Sequence, residues 1–325
     1  MAGVLVVGEV NDGGPVPAAL QVASAGATLA EALGEPFMGA LIGRGAGSAA
    51  QAFRCGFASV YSVDGGHYQP YTAEAYVLAA QALIEASAPS VVLFAHGADT
   101  REWVPRLAAR MKAGLVMDCT TLAMEGDVLV VTKPVNGGGV FAEFAIHGTP
   151  CMATVRASAF PRRTAENRAE RIALAVSPPA DPRVAVLNEE TLAPSAGPRL
   201  KDAKLIVAGG RGVGGPDHWH YIEAASAALG AATGCSRPVA DAGWVPSSQQ
   251  VGLSGASVAP ELYLAVGISG AAQHLAGITA AKMVVAINNS PDAEIFFRAD
   301  YGIVEDYREV LPAFTERVKQ LRASK

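Results

Sequence analysis

Short β-branched runs alternate with Ala-rich amphipathic stretches from Val4 to about Val176, and the alternation begins again at Lys204. A chain that keeps switching between apolar runs and 3.6-residue periodicity buries its strands in parallel sheets with helices covering the faces. In the first half, strands are predicted over residues 4–7, 37–42, 59–63 and 91–95, and helices over 17–33, 47–54, 71–86 and 100–111. Further strands at 115–121, 128–132 and 139–146 follow one another without helical room between them, which predicts an antiparallel extension. Asp64-Gly65-Gly66 and Asn136-Gly137-Gly138-Gly139 read as hairpin turns.

Residues 160–195 read as a boundary. They hold the basic run Pro161-Arg162-Arg163-Thr164-Ala165-Glu166-Asn167-Arg168 and then Ser177-Pro178-Pro179-Ala180-Asp181-Pro182, which no helix continues through. A strand-like stretch follows at 183–187, and the domain change is placed near residue 193, giving domains 1–193 and 194–325. In the second half, strands are predicted at 205–208, 262–266 and 283–287, a helix at 216–229 with Pro216 in its first turn, and an amphipathic terminal helix from Ile303 to about Leu321. The fold class is α/β: a mainly parallel N-terminal domain and a Rossmann-like C-terminal one.

Composition narrows the function. Hydrophobic residues make up 50% of the 325 and charged residues 17%, which excludes a disordered chain and supplies a large core. Lys+Arg 25 against Asp+Glu 30 gives a net charge of −5, without the basic face that nucleic acid or an anionic membrane requires. The apolar content is scattered Ala and Val, and no run approaches the ~20 residues of a membrane span. The N-terminus enters a strand-like run with no charged leader, so a bacterial cytoplasmic location is expected. Cys55, Cys119, Cys151 and Cys235 show no C-x-x-C spacing and are expected to be reduced, buried thiols.

The glycine run 209–215 follows a strand and precedes a helix, and Gly210, Gly212 and Gly215 satisfy G-x-G-x-x-G. Such a loop lets bare backbone N–H groups approach a pyrophosphate, or is simply a tight turn. The acid that an NAD fold wants about twenty residues on is absent, since Gly230 stands there and Asp241 is the first acid beyond. Three more loops carry glycines, hydroxyls and amides: Cys235-Ser236-Arg237-Pro238, the run 249–255, and the run 266–274 that opens a helix. Together they point to an extended ligand with phosphates and many hydroxyls. His274 is a ligand group or an ordinary core histidine. His218 and His220 flank Trp219 two residues apart, on different helix faces and with no carboxylate or Cys cluster, so no metal is predicted.

Gly209-Gly210-Arg211-Gly212, the run from Ser236 to Pro246 (SRPVADAGWVP), Gln250-Val251-Gly252-Leu253-Ser254-Gly255, the run 259–277 with its ISGAAQHLAG string, Val285-Ala286-Ile287-Asn288 and Ala299-Asp300-Tyr301-Gly302 occur in that order. This order is similar to the α subunit of the electron transfer flavoproteins, densely over about residues 200–320 and in pattern alone before that.

The resemblance implies a DHS-like C-terminal domain holding an extended FAD. It also implies a β subunit completing a heterodimer and contacting the N-terminal domain. Carried over, the FAD contacts are Arg211, Gly212, Ser236, Arg237, Gln250, Val251, Gly252, Leu253, Ser254, Ser269, Gly270, Ala271, Ala272, Gln273, His274, Asn288, Asp306 and Tyr307. Arg237 would lie over the flavin ring and favour its anionic one-electron-reduced form. His274, with help from its helix N-terminus, would sit at the pyrimidine carbonyl, and Ser254 would meet the N5 edge. Asn288 and Asp306 would hold the ribose and adenine end. Leu253-Ser254 replaces the family's common Gln-Thr, and Ala256 stands where Lys is frequent.

The function implied is an electron carrier between flavin dehydrogenases of the acyl-CoA dehydrogenase type, in fatty acid β-oxidation, and a membrane quinone reductase. The alternatives are an electron-bifurcating NADH-dependent flavoprotein subunit and a non-redox dinucleotide-binding module.

Overall fold

The computed structural model describes residues 3–11, 13–126, 128–136, 140–166, 170–189, 200, 203–278 and 281–323. The chain divides into two compact units, residues 1–134 with 141–191 and residues 192–325 with 135–140.

The first unit runs β1 (Val4–Asn11), β2 (Gly14–Pro15), α1 (Pro17–Leu33), β3 (Phe37–Gly43), α2 (Ala46–Ala49), β4 (Ser59–Asp64), α3 (Ala73–Ser87), β5 (Val91–Ala95) and α4 (Ala98–Met111). It continues through β6 (Leu115–Cys119), β7 (Thr121–Glu125), β8 (Val128–Val135), β9 (Val140–Ile146), β10 (Cys151–Val155) and β11 (Glu170–Leu174). The main sheet has the order β11-β4-β3-β1-β5-β10-β6, parallel throughout, with β2 pairing antiparallel on β1. Successive side chains of a strand face opposite ways. Val4 and Val6 accordingly enter a cluster with Val22 and Leu29 of α1, while Leu5 and Val7 enter one with Leu83 of α3 and Leu107 of α4. Each fully buried aliphatic side chain is worth roughly 1.5–3 kcal/mol. Strands β7, β8 and β9 form a separate sheet in which β7 and β8 pair antiparallel.

The second unit runs β12 (Leu205–Gly209), α5 (His220–Leu229), β13 (Ala232–Cys235), α6 (Arg237–Asp241), β14 (Leu262–Val266) and α7 (Ala272–Leu275). Then come β15 (Val284–Asn288), α8 (Ile295–Arg298), β16 (Tyr301–Val304) and α9 (Tyr307–Ala323). Its five strands are parallel in the order β13-β12-β14-β15-β16. From β12 the chain builds first to one side and then to the other, so the order reverses between β12 and β14. Ligands in open α/β sheets bind outside the strand ends at such a point.

Several expectations are corrected. Residues 183–187 form no strand: the segment between Pro182 and Glu190 has no sheet neighbour, and Leu187 is fully exposed. Ile303 lies in β16, with α9 starting only at Tyr307, and the 47–54 helix is the single turn α2. The 115–121 strand breaks at Thr120 into β6, which pairs in parallel with β10 through a register shift and holds Asp118 at φ 66°, and β7. Asp64-Gly65-Gly66 is no hairpin, since β4 pairs in parallel; the Asp64 carboxylate instead accepts the Gly45 and Gly47 N–H groups at 2.8 and 3.0 Å. The three glycines of the turn placed at Asn136–Gly139 and the change placed near residue 193 fall outside the described residues. All four cysteines are buried thiols outside any disulfide, and burial pushes the Cys55 thiol up to about 11 and those of Cys119 and Cys235 up to about 12.

Candidate functional site

The carboxyl ends of β12, β14 and β15 bring most of the sequence-derived residues of the second unit together. Gly210 N–H donates to the Val266 carbonyl (2.8 Å), Gly212 N–H to Gly267 (3.0 Å) and Gly214 N–H to Arg211 (3.0 Å). A Cβ on Gly210 would stand 2.2 Å from the Gly267 oxygen, and one on Gly212 would stand 2.7 Å from it. These glycines therefore let the loop after β12 lie directly on the loop after β14, and their amides are already used. Only Gly215 of the three motif glycines has open space around its Cα. The G-x-G-x-x-G run builds the floor of the site.

Beside that floor is a cleft of about 180 Å³, lined by Gly212, Gly214, His218, Asn288, Asp306 and Tyr307 among others. Tyr307 donates its hydroxyl to the Val213 carbonyl at 2.8 Å and anchors α9 to the glycine loop. The Asn288 amide donates to the Ile268 carbonyl (2.9 Å), and its oxygen accepts the Ser290 N–H (3.0 Å), so this side chain shapes the loops on either side. Asp306 accepts two hydrogen bonds of 3.0 Å from Arg308 Nε and a shorter one from its Nη2. Hydrogen bonding from Arg308 holds the Asp306 carboxyl down to about 2. His218, Asn289 and Arg308 line the cleft and were not legible in the sequence, because the strand ends that gather them lie far apart in the chain.

A second cluster forms where the 250–255 loop meets the 269–277 loop. Leu253 N–H donates to the Gln273 carbonyl (2.8 Å), and Gly252, at φ 141°, has space for a Cβ only at 3.0 Å from that same oxygen. Val251 N–H donates to the Cys235 carbonyl (2.9 Å), Val251 forms a bridge with Ala256, and the Gln250 amide donates to the Ser254 hydroxyl at 2.9 Å. Gly270, at φ 93°, lies against the Ile295 backbone, where a Cβ would meet the nitrogen at 2.1 Å. Ser269, Ala271, Ala272, Gln273, Arg211, Leu253 and Ser254 are exposed. Helix α7 has only four residues, so the expected help from a helix dipole falls away, the macrodipole being a sum over many aligned peptides.

His274 is buried, its Nε2 lying 2.9 Å from the Tyr263 hydroxyl and its Nδ1 without a hydrogen-bond partner of good geometry. Burial lowers its pKa to about 4 against a weaker opposing pull from the Val251 backbone, so the ring is neutral at pH 7. The Ser236 hydroxyl is likewise buried and unpartnered. Arg237 stands at the first turn of α6, two-thirds exposed, with Nε 3.2 Å from Asp241. Buried polar atoms are almost always satisfied. Ser236 Oγ and His274 Nδ1, beside exposed hydroxyls and glycine-floored loops, thus fit a polar cofactor that supplies the missing partners. His220 Nδ1 is 2.8 Å from the Asp217 carbonyl, and no metal-holding group of His, Cys, Asp or Glu occurs among the described residues.

Residues 4–181 match the family model of the electron transfer flavoprotein domain, and residues 199–279 that of the electron transfer flavoprotein FAD-binding domain. The chain is 35% identical over 319 residues to electron transfer flavoprotein subunit alpha of Bacillus subtilis, covering 98% of each chain. It is 39% identical over 268 residues to the protein of that name from Thermoanaerobacterium thermosaccharolyticum, covering 81% of each. Protein FixB of Clostridium saccharobutylicum is 33% identical over 326 residues, with 98% of this chain and 96% of the relative covered. The chain belongs to the electron transfer flavoprotein alpha-subunit family, and its cofactor is FAD. No helix among the described residues is long and apolar enough to cross a membrane.

Proposed function

We propose that this chain is the FAD-carrying half of a heterodimeric cytoplasmic electron carrier. It takes electrons from flavin dehydrogenases of the acyl-CoA dehydrogenase type, in fatty acid β-oxidation, and delivers them to a membrane quinone reductase. A β subunit completes the dimer against the N-terminal domain, residues 1–193, while residues 194–325 carry the cofactor. The observation that carries this reading is the pair of buried, unpartnered polar atoms, Ser236 Oγ and His274 Nδ1, among the loops of one strand-end site.

FAD supplies the redox chemistry, and the protein supplies position and electrostatics. Arg211, Ser236 and the Ser269–Gln273 loop hold the phosphate and ribityl part over the floor that Gly212 helps build, with Asn288 shaping the pocket and Asp306 accepting from the ribose end. Arg237 swings from Asp241, an exposed pairing worth little, to place its charge over the ring system. Ser254, its oxygen already accepting from Gln250, keeps its own proton for the ring's N5 edge. His274 donates at the pyrimidine carbonyl as a neutral ring.

The test is an absorption spectrum and flavin count of the chain purified with its co-expressed genomic neighbour. One FAD per heterodimer, oxidised by a quinone reductase and reduced by an acyl-CoA dehydrogenase, is the expected result. A second flavin in the partner together with NADH oxidation would replace it with the bifurcating reading. A colourless dimer that takes up no added FAD would overturn it.

A further inference from the structure

Tyr263 stands near the start of β14 and is wholly buried in an apolar cluster that includes Ile206, Ala265, Val284 and Ile278. Among the described residues, the partner found for its hydroxyl is His274 Nε2, at 2.9 Å. A phenol has one proton to give, and a neutral imidazole has one nitrogen bare and one protonated. If Nε2 carried the proton, it would donate to the phenol oxygen. The phenol proton would then have no hydrogen-bond acceptor found among the described residues, and Nδ1 would be a buried acceptor without a donor of good geometry. That arrangement leaves two buried groups unsatisfied, at roughly 1–3 kcal/mol each. If Nε2 is bare, the phenol donates to it and both are satisfied. The ring proton then sits on Nδ1, which has no hydrogen-bond partner of good geometry among the described residues.

We propose that Tyr263 is a positioning residue that gives its proton to His274 Nε2 and so locks the ring as the Nδ1–H tautomer, a fixed neutral donor for a ligand carbonyl oxygen. A histidine's far-side partner setting the tautomer at the working nitrogen is a general device. The identity of that ligand oxygen, a flavin pyrimidine carbonyl, rests on the function proposed above. The tautomer itself does not. A neutral donor strengthens as negative charge grows on the acceptor, yet it brings no full charge into the buried site when the ligand is oxidised.

The experiment is nitrogen-15 NMR on the full chain labelled at histidine and co-purified with its β subunit, with FAD present and after FAD removal. Two-bond correlations report the tautomer of each ring, and the signal lost in His274→Asn identifies the one of interest. The expected result is Nδ1–H in both states. In Tyr263→Phe the ring shifts toward Nε2–H, and FAD dissociates about fivefold more readily, the effect of one ordinary hydrogen bond. A proton on Nε2 in the native chain, or an unchanged tautomer in Tyr263→Phe, would overturn the proposal. If the phenylalanine variant does not fold, the native spectrum alone still decides. An Nδ1–H ring in a chain that takes up no FAD would keep the role of Tyr263 and remove the cofactor reading.

Discussion

The two units share one plan, a parallel sheet with helices on both faces, and finish their strand ends in opposite ways. In the first unit the end of the central strand β1 is closed by its own side chains. Trp103 Nε1 donates to Glu9 at 3.4 Å, the Trp103 ring lies 5.9 Å from Tyr76, and Tyr76 in turn packs on Tyr68 and Tyr71. In the second unit the corresponding ends carry glycines, small residues and a cleft of about 180 Å³. Side-chain volume at the strand ends, more than sheet topology, separates a crevice filled by the protein from one left to a ligand.

The largest effect is expected where the first unit's plug is removed. Trp103→Ala should cost about 3–5 kcal/mol, as for other buried aromatic truncations, and urea unfolding of the FAD-loaded complex measures it. In the second unit Gly270→Ala combines a left-handed backbone with a contact of 2.1 Å to Ile295, and should cost about 3 kcal/mol. The flavin content of the purified dimer should fall with it; retention of full content and stability would show that the 269–295 contact is dispensable.

Glu9 sharpens the comparison through pH. Burial, with Asp99 nearby and against the Trp103 hydrogen bond, raises its carboxyl from 4.5 to about 7. The folded chain then holds a proton that the unfolded chain releases near 4.5, so stability falls as pH rises from about 4.5 to about 7 and stays lower above that. Glu9→Gln should flatten this slope and gain on the order of 2 kcal/mol at pH 8. Unfolding midpoints at pH 5 and pH 8 check it, and a parallel loss in both proteins would sink the idea.

Asp306 is the contrasting carboxyl, half-buried and kept ionised by Arg308. Asp306→Asn should leave the unfolding midpoint unchanged while weakening FAD binding about tenfold, the effect of losing a charged acceptor. The smallest effect is electronic. Arg237→Ala should lower the flavin potential by on the order of 50 mV, the scale of one partly screened charge; an unchanged potential with FAD bound would place the guanidinium away from the ring.

Strands β5 and β14 were legible in the sequence to the residue, because each is an unbroken apolar run between turn residues. Strand β10 was not, although it lies between β5 and β6 and is buried along its whole length, because the β-branched residues of Cys-Met-Ala-Thr-Val are confined to its last two positions, behind Cys, Met and Ala, which mark no strand. Strand β13 was missed for the same reason, its Ala-Thr-Gly-Cys being too short and too small. The glycine loops were visible as loops, yet what their glycines are for was not. Gly210 and Gly212 face the backbone of Gly267, more than fifty residues on, where spacing along the chain carries no information.

By itself, then, the sequence determined the α/β class, the two-fold restart of the pattern, the exclusion of a basic nucleic-acid face, and the motif order that identifies the family. These follow from periodicity, composition and identity, which are properties of short stretches or simple sums. Only the tertiary structure decided that the first unit's strand ends are plugged, that Arg308 steadies Asp306, and that Tyr263 faces His274. Arg308 meets Asp306 across the turn that opens α9; the other two are contacts between side chains on different elements, and burial gives such contacts their energetic weight by removing the water that would otherwise satisfy every donor and acceptor alone.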